Sequence, residues 1–200
     1  MSPGPVEAVF LDRDGTIIEE VGYLARAEQV RLLPDADRAI RMWNDSGVRV
    51  IVVTNQAGVA RGYFPESRVA EIHERLVELL AAAGARVDAF YYCPHHPVEG
   101  REPYRMDCAC RKPKPGMLRS AARDWNLDLS RSWMIGDKAC DARAGAAAGC
   151  RTILVRTGHG ARLEDSTAPG DWRLAGIVAD LPAAATLWRR LRDEQATRAA

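Results

Sequence analysis

The fold is decided near the N-terminus by the stretch VEAVFLDRDGT, residues 6–16. Its first half, from Val6 to Leu11, is apolar without a helical period, and it ends abruptly at Asp12 and Asp14. An apolar run of this kind is typical of a strand that is buried on both faces of a parallel sheet covered by helices. The stretch therefore predicts an α/β domain with acidic side chains at the end of its first strand.

Four further apolar runs rich in β-branched or aromatic residues continue this pattern. They predict strands at 48–54, 90–92, 133–135 and 152–155. Between them, helices are predicted to open at Pro34, Pro65 and Pro115, since Pro near the start and Gly past the end mark helix termini. A short helix at 141–148 and one near the C-terminus follow. This alternation predicts right-handed crossovers and a Rossmann-like, three-layer α/β fold with a central parallel sheet, all 200 residues forming one domain.

Charge and hydropathy argue against several classes of protein. Lys and Arg number 28 and Asp and Glu 27, so the formal net charge of +1 gives no support for nucleic-acid or membrane-surface binding. No apolar run approaches the roughly 20 residues of a spanning helix. The first seven residues lack the basic start and apolar stretch of a signal peptide. We therefore expect a cytosolic protein without nucleic-acid or membrane partners. Because the domain is small, it is also expected to be a monomer.

Polar residues follow several of the predicted strands. Thr54 and Asn55 end the second strand, Asp137 follows the fourth, and Lys112 lies in the loop before the third helix. Ligands of parallel α/β sheets bind beyond the carboxyl ends of the strands, so these groups should converge with Asp12 on one edge. A lone D-x-D or Thr-Asn pair is most often turn chemistry. The joint order of the four segments is what indicates a functional site.

The residue types at this edge suit phosphoryl transfer. On extended backbone, Asp12 and Asp14 face the same way, so both carboxylates can reach one ligand. Asp12 can attack phosphorus to give an aspartyl-phosphate, and Asp14 can protonate the leaving oxygen and later activate water. Repulsion between carboxylates and phosphate calls for Mg²⁺, held by Asp12 and Asp137, and for the charge of Lys112. Two hydrogen-bond donors to the phosphate complete the predicted site, Thr54 and Asn55.

Four segments carry a resemblance to a known superfamily. They are DRDGT at 12–16, TNQAG at 54–58, KPKPG at 112–116 and GDKACD at 136–141. In this order they resemble the nucleophile, phosphate, lysine and metal loops of the haloacid dehalogenase (HAD) phosphatases. The resemblance implies a Mg²⁺-dependent phosphomonoesterase with Asp12 as nucleophile and Asp14 as acid/base, the backbone carbonyl of Asp14 also touching the metal. There is no room for an inserted cap domain, so a capless HAD core is expected.

Three of the five cysteines lie in one short region, CPHHP at 93–97 and CACRKP at 108–113. The thiolates are those of Cys93, Cys108 and Cys110. With one imidazole they make a tetrahedral set without an open position, which indicates structural zinc. The loop of about 93–110 has few apolar residues, so zinc would hold its shape and anchor the adjacent Lys112. Spacing does not separate His95 from His96, and the family resemblance favours His95.

The zinc-ligand pattern, with VTNQAGVARGYF at 53–64, resembles a narrower group. This group is the D-glycero-D-manno-heptose 1,7-bisphosphate 7-phosphatases of nucleotide-activated heptose biosynthesis. The resemblance implies a small phosphorylated sugar as substrate, with phosphate contacts by Thr54, Asn55 and Lys112. It also implies that Arg111 contacts the sugar or its second phosphate. With no cap, substrate selection is expected to depend on the loops around Tyr23, Arg111 and Arg61, although a lone arginine such as the last is most often a surface charge.

Two alternatives stay open at the level of sequence. Histidinol-phosphate phosphatase of histidine biosynthesis shares the catalytic and zinc motifs, but the long loop at 97–107 favours the heptose enzyme. A basic run also favours a bisphosphate over a substrate that carries an amine. Its members are Arg101, Arg105, Arg111, Lys112 and Lys114. A zinc-stabilised interaction module without activity is the second alternative, and it is disfavoured because Asp12, Asp14 and Asp137 are all present.

Overall fold

The computed structural model describes residues 6–162 and 172–199, and six strands of these residues form one parallel sheet. The strands are β1 (Ala8–Leu11), β2 (Arg49–Asn55), β3 (Ala89–Cys93), β4 (Trp133–Gly136), β5 (Arg151–Val155) and β6 (Leu174–Val178). Their order is β3-β2-β1-β4-β5-β6, so the chain winds outward from β1 and then returns to its other side. The crevice between β1 and β4 is therefore the switch point at which ligands bind in such sheets.

Helices cover both faces of the sheet. They are α1 (Ala36–Asp45), α2 (Ala57–Ala60), α3 (Ser67–Ala82), α4 (Gly116–Trp125), α5 (Ala139–Ala148) and α6 (Leu181–Ala199). Helices α1, α3 and α6 pack on one face, and α4 and α5 on the other. Two 3-10 segments, Ala27–Gln29 and Gly158–Arg162, lie in the connections. No helix in the described part of the chain is both long and apolar enough to cross a bilayer.

The central strand contributes alternate residues to two separate cores. Val9 and Leu11 of β1 pack with α1, α3 and α6, whereas Ala8 and Phe10 pack with α4 and α5. All four side chains are fully buried. A strand with no solvent-exposed face has no reason to alternate polar and apolar residues, which explains the unbroken apolar run in the sequence. The ends of such a strand carry the first polar residues, and here these are the aspartates.

The predicted three-layer α/β fold with a parallel sheet is confirmed, and two elements escaped prediction. Strand β6 has the sequence LAGIV, and each of its residues is only partly buried because the strand forms an edge of the sheet. Partial burial and an internal Gly176 leave a weak strand pattern. Helix α2 is a single turn of four residues, too short for a periodic signal. The surface loop predicted over 158–170 begins as a 3-10 segment, and its residues from 163 onward lie outside the described part.

The carboxyl edge of the sheet is uncovered in the described residues. Between β1 and β2 the chain forms a 3-10 turn and α1, and between β2 and β3 it forms α2 and α3. The connection from β3 to α4, residues 94–115, has no helix or strand among its described residues and holds the cysteine cluster. Because none of these connections forms a separate domain, the core is capless, as predicted.

Candidate active site

The nucleophile loop begins where β1 ends. The backbone N–H of Asp12 donates to the carbonyl of Ile135 at 2.9 Å, which ties the loop to β4. Gly15 adopts a φ of 81°, and a Cβ at this position would lie 2.4 Å from Oδ2 of Asp137. Glycine is needed here for the positive φ and for the close approach. The loop therefore brings Asp12 and the acidic loop after β4 together at the switch point.

Three buried carboxylates meet in this crevice. Oxygens of Asp12, Asp137 and Asp141 all lie within 4.8 Å of one another. Burial, reinforced by the nearby charge of Asp12, raises the pKa of Asp137 to about 7. Oδ2 of Asp137 accepts the N–H of His159 at 2.7 Å, whereas its buried Oδ1 accepts no hydrogen bond from any described residue. This oxygen-rich, anionic arrangement fits a divalent cation such as Mg²⁺.

Sequence reasoning did not select Asp141, although it is the last residue of the GDKACD segment. It lies in the first turn of α5, where Oδ2 accepts the backbone N–H of Lys138 at 2.9 Å. Its carboxylate packs on Gly136, where a Cβ would come within 2.4 Å of it. The other oxygen, Oδ1, lies 2.6 Å from Nζ of Lys112. Asp141 therefore joins the acidic cluster to the lysine loop.

Lys112 is buried among the carboxylates. Its Nζ lies 2.9 Å from Oδ1 of Asp12 and 2.6 Å from Oδ1 of Asp141, and it donates to the carbonyl of Val53 at 2.7 Å. Burial alone would lower the pKa of Lys112, but the two ion pairs outweigh it and hold the pKa above its usual value. Burial likewise opposes ionisation of Asp12, and Lys112 in turn keeps the pKa of that carboxyl low. Each member of the pair therefore favours the charged form of the other.

The end of β2 holds the lysine loop in place. Asn55 donates from Nδ2 to the carbonyl of Lys112 and accepts its N–H at Oδ1, each at 3.0 Å. Nδ2 carries a second hydrogen and Asn55 lines the cavity, so the predicted donation to phosphate stays open to this side chain. Thr54 is 1% exposed and lines the cavity beside Asp12. Its hydroxyl is placed to act as a phosphate donor.

The carboxyl of Asp14 is surrounded by donors that sequence reasoning did not select. Arg13 is fully buried and pairs with it through Nε and Nη2, the shortest contact being 2.9 Å. Gln56 also donates to Oδ2 of Asp14, at 2.9 Å. Both partners lie inside segments already quoted, at the centre of D-x-D and after Thr-Asn. Their roles depend on side-chain direction, which spacing alone does not reveal.

A cavity of about 340 Å³ opens over these groups. Besides Lys112 and three of the aspartates described above, its lining includes Glu20, Tyr23, Arg111, Lys138 and His159. Lys138 was not predicted, and its Nζ lies 3.4 Å from Oδ1 of Asp137 and 3.3 Å from Oε2 of Glu20. Its charge acts on Asp12 and Asp137 at the nucleophile end of the cavity, whereas Arg111 is held to the wall by its bond to the carbonyl of His95. The cavity can therefore hold a ligand with more than one anionic group.

The basic run read from the sequence does not act as a unit. Arg111 and Lys112 line the cavity, but Arg105 pairs with Glu102 and Lys114 with Asp107 at the surface. Arg101 lines a separate groove. Three of the five members of the run therefore lie away from the cavity, because neighbours in a loop point in different directions. The cations that line the cavity are Arg111 and Lys112 from the run and the unpredicted Lys138.

Arg61 does not line the cavity. It forms an ion pair with Glu99 of the cysteine loop, and its guanidinium lies 5.7 Å from the ring centre of Tyr23. The ring of Tyr23 in turn meets that of Tyr63 edge-on at 4.5 Å. Arg61 thus connects two loops at the rim, and of the three rim residues named from the sequence, Tyr23 and Arg111 line the cavity.

The cysteine cluster lies beside this site. Three Sγ atoms are 3.0–3.4 Å apart, those of Cys93, Cys108 and Cys110. Nδ1 of His95 lies 3.7 Å from Cys93 and 3.5 Å from Cys110. His96 instead accepts the N–H of Glu99 at 2.8 Å. Three thiols and one imidazole at these separations fit four ligands around one zinc ion, with Zn–S bonds of about 2.3 Å.

The cluster also supports the cavity wall. Arg111 donates from Nη1 to the carbonyl of His95 at 3.1 Å, and it directly follows Cys110 in the chain. The backbone N–H of Gln56 donates to the carbonyl of Cys93 at 2.7 Å. Residues of the cluster therefore hold both the lysine loop and the turn after β2.

Comparison with known proteins places the chain among phosphatases. A family model described as HAD-hydrolase-like matches residues 109–184. The D-glycero-beta-D-manno-heptose-1,7-bisphosphate 7-phosphatase of Pasteurella multocida is 42% identical over 177 residues, 88% of this chain and 95% of that protein. The D-glycero-D-manno-heptose-1,7-bisphosphate 7-phosphatase of Thermosynechococcus vestitus is 46% identical over 184 residues, 90% and 94% of the two chains. The chain belongs to the heptose bisphosphate phosphatase family of HAD hydrolases.

A solved structure of this heptose bisphosphate phosphatase family shares the fold. It is the D,D-heptose 1,7-bisphosphate phosphatase from B. bronchiseptica, complexed with magnesium and phosphate. The TM-score is 0.80 at 34% identity, and the match covers 94% of this chain and 99% of that one. The capless α/β core derived above is thus the fold of the family, and the sequence resemblance to it is confirmed.

Proposed function

We propose that this heptose bisphosphate phosphatase removes the C7 phosphate of D-glycero-D-manno-heptose 1,7-bisphosphate, in the biosynthesis of nucleotide-activated heptose. One observation carries the proposal. A chain similar over about nine-tenths of its length to proteins of that name encloses a nucleophile pair and separate cations in one cavity. Arg111 provides positive charge for the phosphate that is not cleaved. We place the reaction in the cytosol and expect a monomer.

In the first step Asp12 attacks the C7 phosphorus. Its Oδ1 already accepts the N–H of Arg13 at 2.8 Å and pairs with Lys112, which leaves Oδ2 to form the new bond. The bond from phosphorus to the sugar oxygen breaks as Asp14 gives that oxygen its proton. The products are the sugar 1-phosphate, with a free hydroxyl at C7, and a phosphorylated Asp12.

In the second step water cleaves the aspartyl-phosphate. Asp14, now an anion, takes a proton from the water as the water oxygen attacks phosphorus. The bond from phosphorus to Asp12 breaks, inorganic phosphate leaves, and both carboxyls return to their starting states. Lys112 and the hydroxyl of Thr54 stabilise the charge that gathers on the phosphoryl oxygens in both steps.

Magnesium would be held by Asp12, Asp137 and the backbone carbonyl of Asp14, beside Asp141. The buried Oδ1 of Asp137 accepts no hydrogen bond from a described residue, and the pKa of about 7 for that carboxyl reflects its burial beside Asp12; both support a cation at this place. When bound, Mg²⁺ supplies positive charge that offsets the repulsion between the carboxylates and the phosphate. The B. bronchiseptica structure, which was solved with magnesium and phosphate, supports the same choice of ion.

The experiment that tests this function is phosphate release with Mg²⁺, comparing kcat/KM for both anomers of the bisphosphate with that for histidinol phosphate. One charge-assisted contact contributes about 1.5–3 kcal/mol, so losing the second phosphate should lower kcat/KM by roughly 10- to 100-fold. The Arg111→Met variant should reduce this preference, whereas Arg105→Met, the same change on the surface, should not. A preference for histidinol phosphate would overturn the substrate proposal.

We propose that Cys93, His95, Cys108 and Cys110 hold a structural zinc ion. The purified protein should then contain about one zinc per chain. Cys110→Ser should lose it and unfold at lower temperature, with reduced turnover because Arg111 and Lys112 follow directly in the chain. Elemental analysis and thermal melts measure this, and Cys140→Ser, outside the cluster, should retain the zinc. A folded, active wild-type sample without zinc would contradict the assignment.

A further inference from the structure

The carboxyl of Asp14 is held in one plane by a buried arginine. Nη2 of Arg13 donates to both its oxygens, at 3.0 and 2.9 Å, and Nε donates to Oδ1 at 3.2 Å. The side chain of Arg13 is 1% exposed and that of Asp14 18% exposed, so the arginine is shielded from water and the carboxyl reaches the cavity. The planar guanidinium fork matches the plane of a carboxylate. This pair restricts the rotation of the Asp14 carboxyl.

A glutamine also donates a hydrogen bond to the same carboxyl. Nε2 of Gln56 donates to Oδ2 of Asp14 at 2.9 Å and to Oγ1 of Thr54 at 2.8 Å. An amide nitrogen carries two hydrogens, so it can make both bonds at once. Gln56 is 5% exposed, and its backbone is tied to Cys93 at the end of β3. The amide is therefore itself fixed in direction.

The contact with Thr54 has a consequence for phosphate binding. Oγ1 of Thr54 accepts a hydrogen from Gln56, so the hydroxyl's own hydrogen is free to donate. Oδ2 of Asp14, 3.5 Å away, is a distant acceptor for it, and a phosphate oxygen in the cavity would be a better one. One amide group thus sets the direction of both the proton donor and the phosphate donor.

We propose that Gln56 and Arg13 are positioning residues for Asp14, which hold its carboxyl where its proton reaches the leaving oxygen. The proposal rests on the function proposed above, in which Asp14 is the general acid and base. Neither residue transfers a proton; each acts through Asp14. Holding a catalytic group in a productive orientation removes the entropy cost of ordering it in the transition state. The same orientation serves the attack of water in the second step.

The test compares substrates whose leaving groups need a proton to different extents. The leaving group of p-nitrophenyl phosphate departs without protonation, whereas that of glycerol phosphate needs the general acid. Gln56→Met keeps the length of the side chain and removes its donor. We expect kcat/KM for glycerol phosphate to fall about 10- to 100-fold, which is part of the 10²–10⁴-fold that a general acid contributes in full. The rate of the first p-nitrophenol release should change by less than about threefold.

The ratio of the loss with glycerol phosphate to the loss with p-nitrophenyl phosphate reports on proton transfer by Asp14. Any loss that acts through Thr54 falls equally on both substrates, because that hydroxyl faces the phosphate they share. Arg13→Lys should shift the ratio in the same direction, since an ammonium cannot reproduce the fork. Gln29→Met, the same change at an exposed position, should leave the ratio as in the wild type. Thermal melts of each variant establish that it is folded.

Asp14→Asn is measured in parallel and should show the same selective loss, only larger. If Asp14→Asn is selective but Gln56→Met and Arg13→Lys lose both substrates equally or neither, the positioning role is overturned. If Asp14→Asn itself is not selective, the general-acid assignment and the positioning role fall together. Neither probe is a heptose, so a failure of the substrate proposal is seen separately, in the comparison of bisphosphate with histidinol phosphate.

Discussion

Asp12→Asn is expected to lower phosphate release by at least about 10⁴-fold, because an amide cannot form the acyl-phosphate bond and loss of a catalytic nucleophile has effects of this size or larger. Initial rates with Mg²⁺ and saturating substrate measure the loss. Acid quenching during turnover should trap phosphorylated protein from the wild type and none from the variant.

The fold of this variant should persist. Asp12 lies within 4.8 Å of Asp137 and Asp141, and its charge helps to raise the pKa of Asp137. Removing that charge relieves repulsion in the metal-free protein, while Lys112 keeps its ion pair with Asp141 at 2.6 Å. Because Lys112 holds the pKa of Asp12 below its usual value, the variant also loses a stabilising ion pair, so we expect the free energy of unfolding without Mg²⁺ to fall while the protein stays folded.

A matched control is Asp45→Asn, the same change at an exposed position of α1, which should retain full turnover. A folded Asp12→Asn protein that releases phosphate at close to the wild-type rate would refute the covalent mechanism. Loss of turnover together with unfolding would instead contradict the stability argument, and the trapping experiment would still report on the nucleophile.

Lys112→Met should reduce both turnover and stability. Its ammonium pairs with Asp12 and Asp141 deep in the site, so its loss leaves two buried carboxylates without their shared cation. Breaking a buried ion pair from one side costs about 3–5 kcal/mol. The same charge stabilises the phosphoryl oxygens, and its removal should lower kcat by about 10²–10³-fold, as for other groups that stabilise transition-state charge.

Chemical denaturation measures the loss of stability, and steady-state kinetics measure the loss of kcat. Lys114→Met is the control: it lies two residues away, pairs with Asp107 at the surface and is 46% exposed, so its loss should change stability by no more than about 1 kcal/mol. Because bound Mg²⁺ adds positive charge beside the same carboxylates, it should restore part of the stability lost in Lys112→Met. Equal stability of the two lysine variants would show that the buried pairs contribute little.

The arrangement around Lys112 also explains why the cysteine cluster lies beside the acidic cluster. The side chain of Asn55 makes two hydrogen bonds with the backbone of Lys112, and Cys110 lies two residues before Lys112 in the chain. The lysine loop is therefore held from both sides, by the end of β2 and by the cluster. A loop of few apolar residues has little core of its own, so these polar and metal-ligand contacts are what can keep the lysine in register.

Local pattern was enough to predict the parts of the protein that are set by neighbouring residues. The apolar run before Asp12 predicted a strand buried on both faces, and the alternation of strands with helices predicted the parallel sheet. Parallel strands put their carboxyl ends on one edge, so Asp12, Thr54, Lys112 and Asp137 could be expected to meet there. Three cysteines lie within the 18 residues 93–110, and this close spacing likewise indicated one metal cluster.

Tertiary structure alone decided what each side chain contacts once it reaches that edge. Asn55, which lines the cavity, also bonds to a backbone 57 residues away, and Gln56 reaches Asp14 across 42 residues. Asp141 joins the acidic cluster because a helix turn points it back at Gly136, whereas Lys114 turns outward two residues after buried Lys112. Strand β6 was missed because an edge position leaves a weak burial pattern. The physical reason is common to all: periodicity records which face of an element is buried, but side-chain partners depend on packing between segments that are distant in the chain.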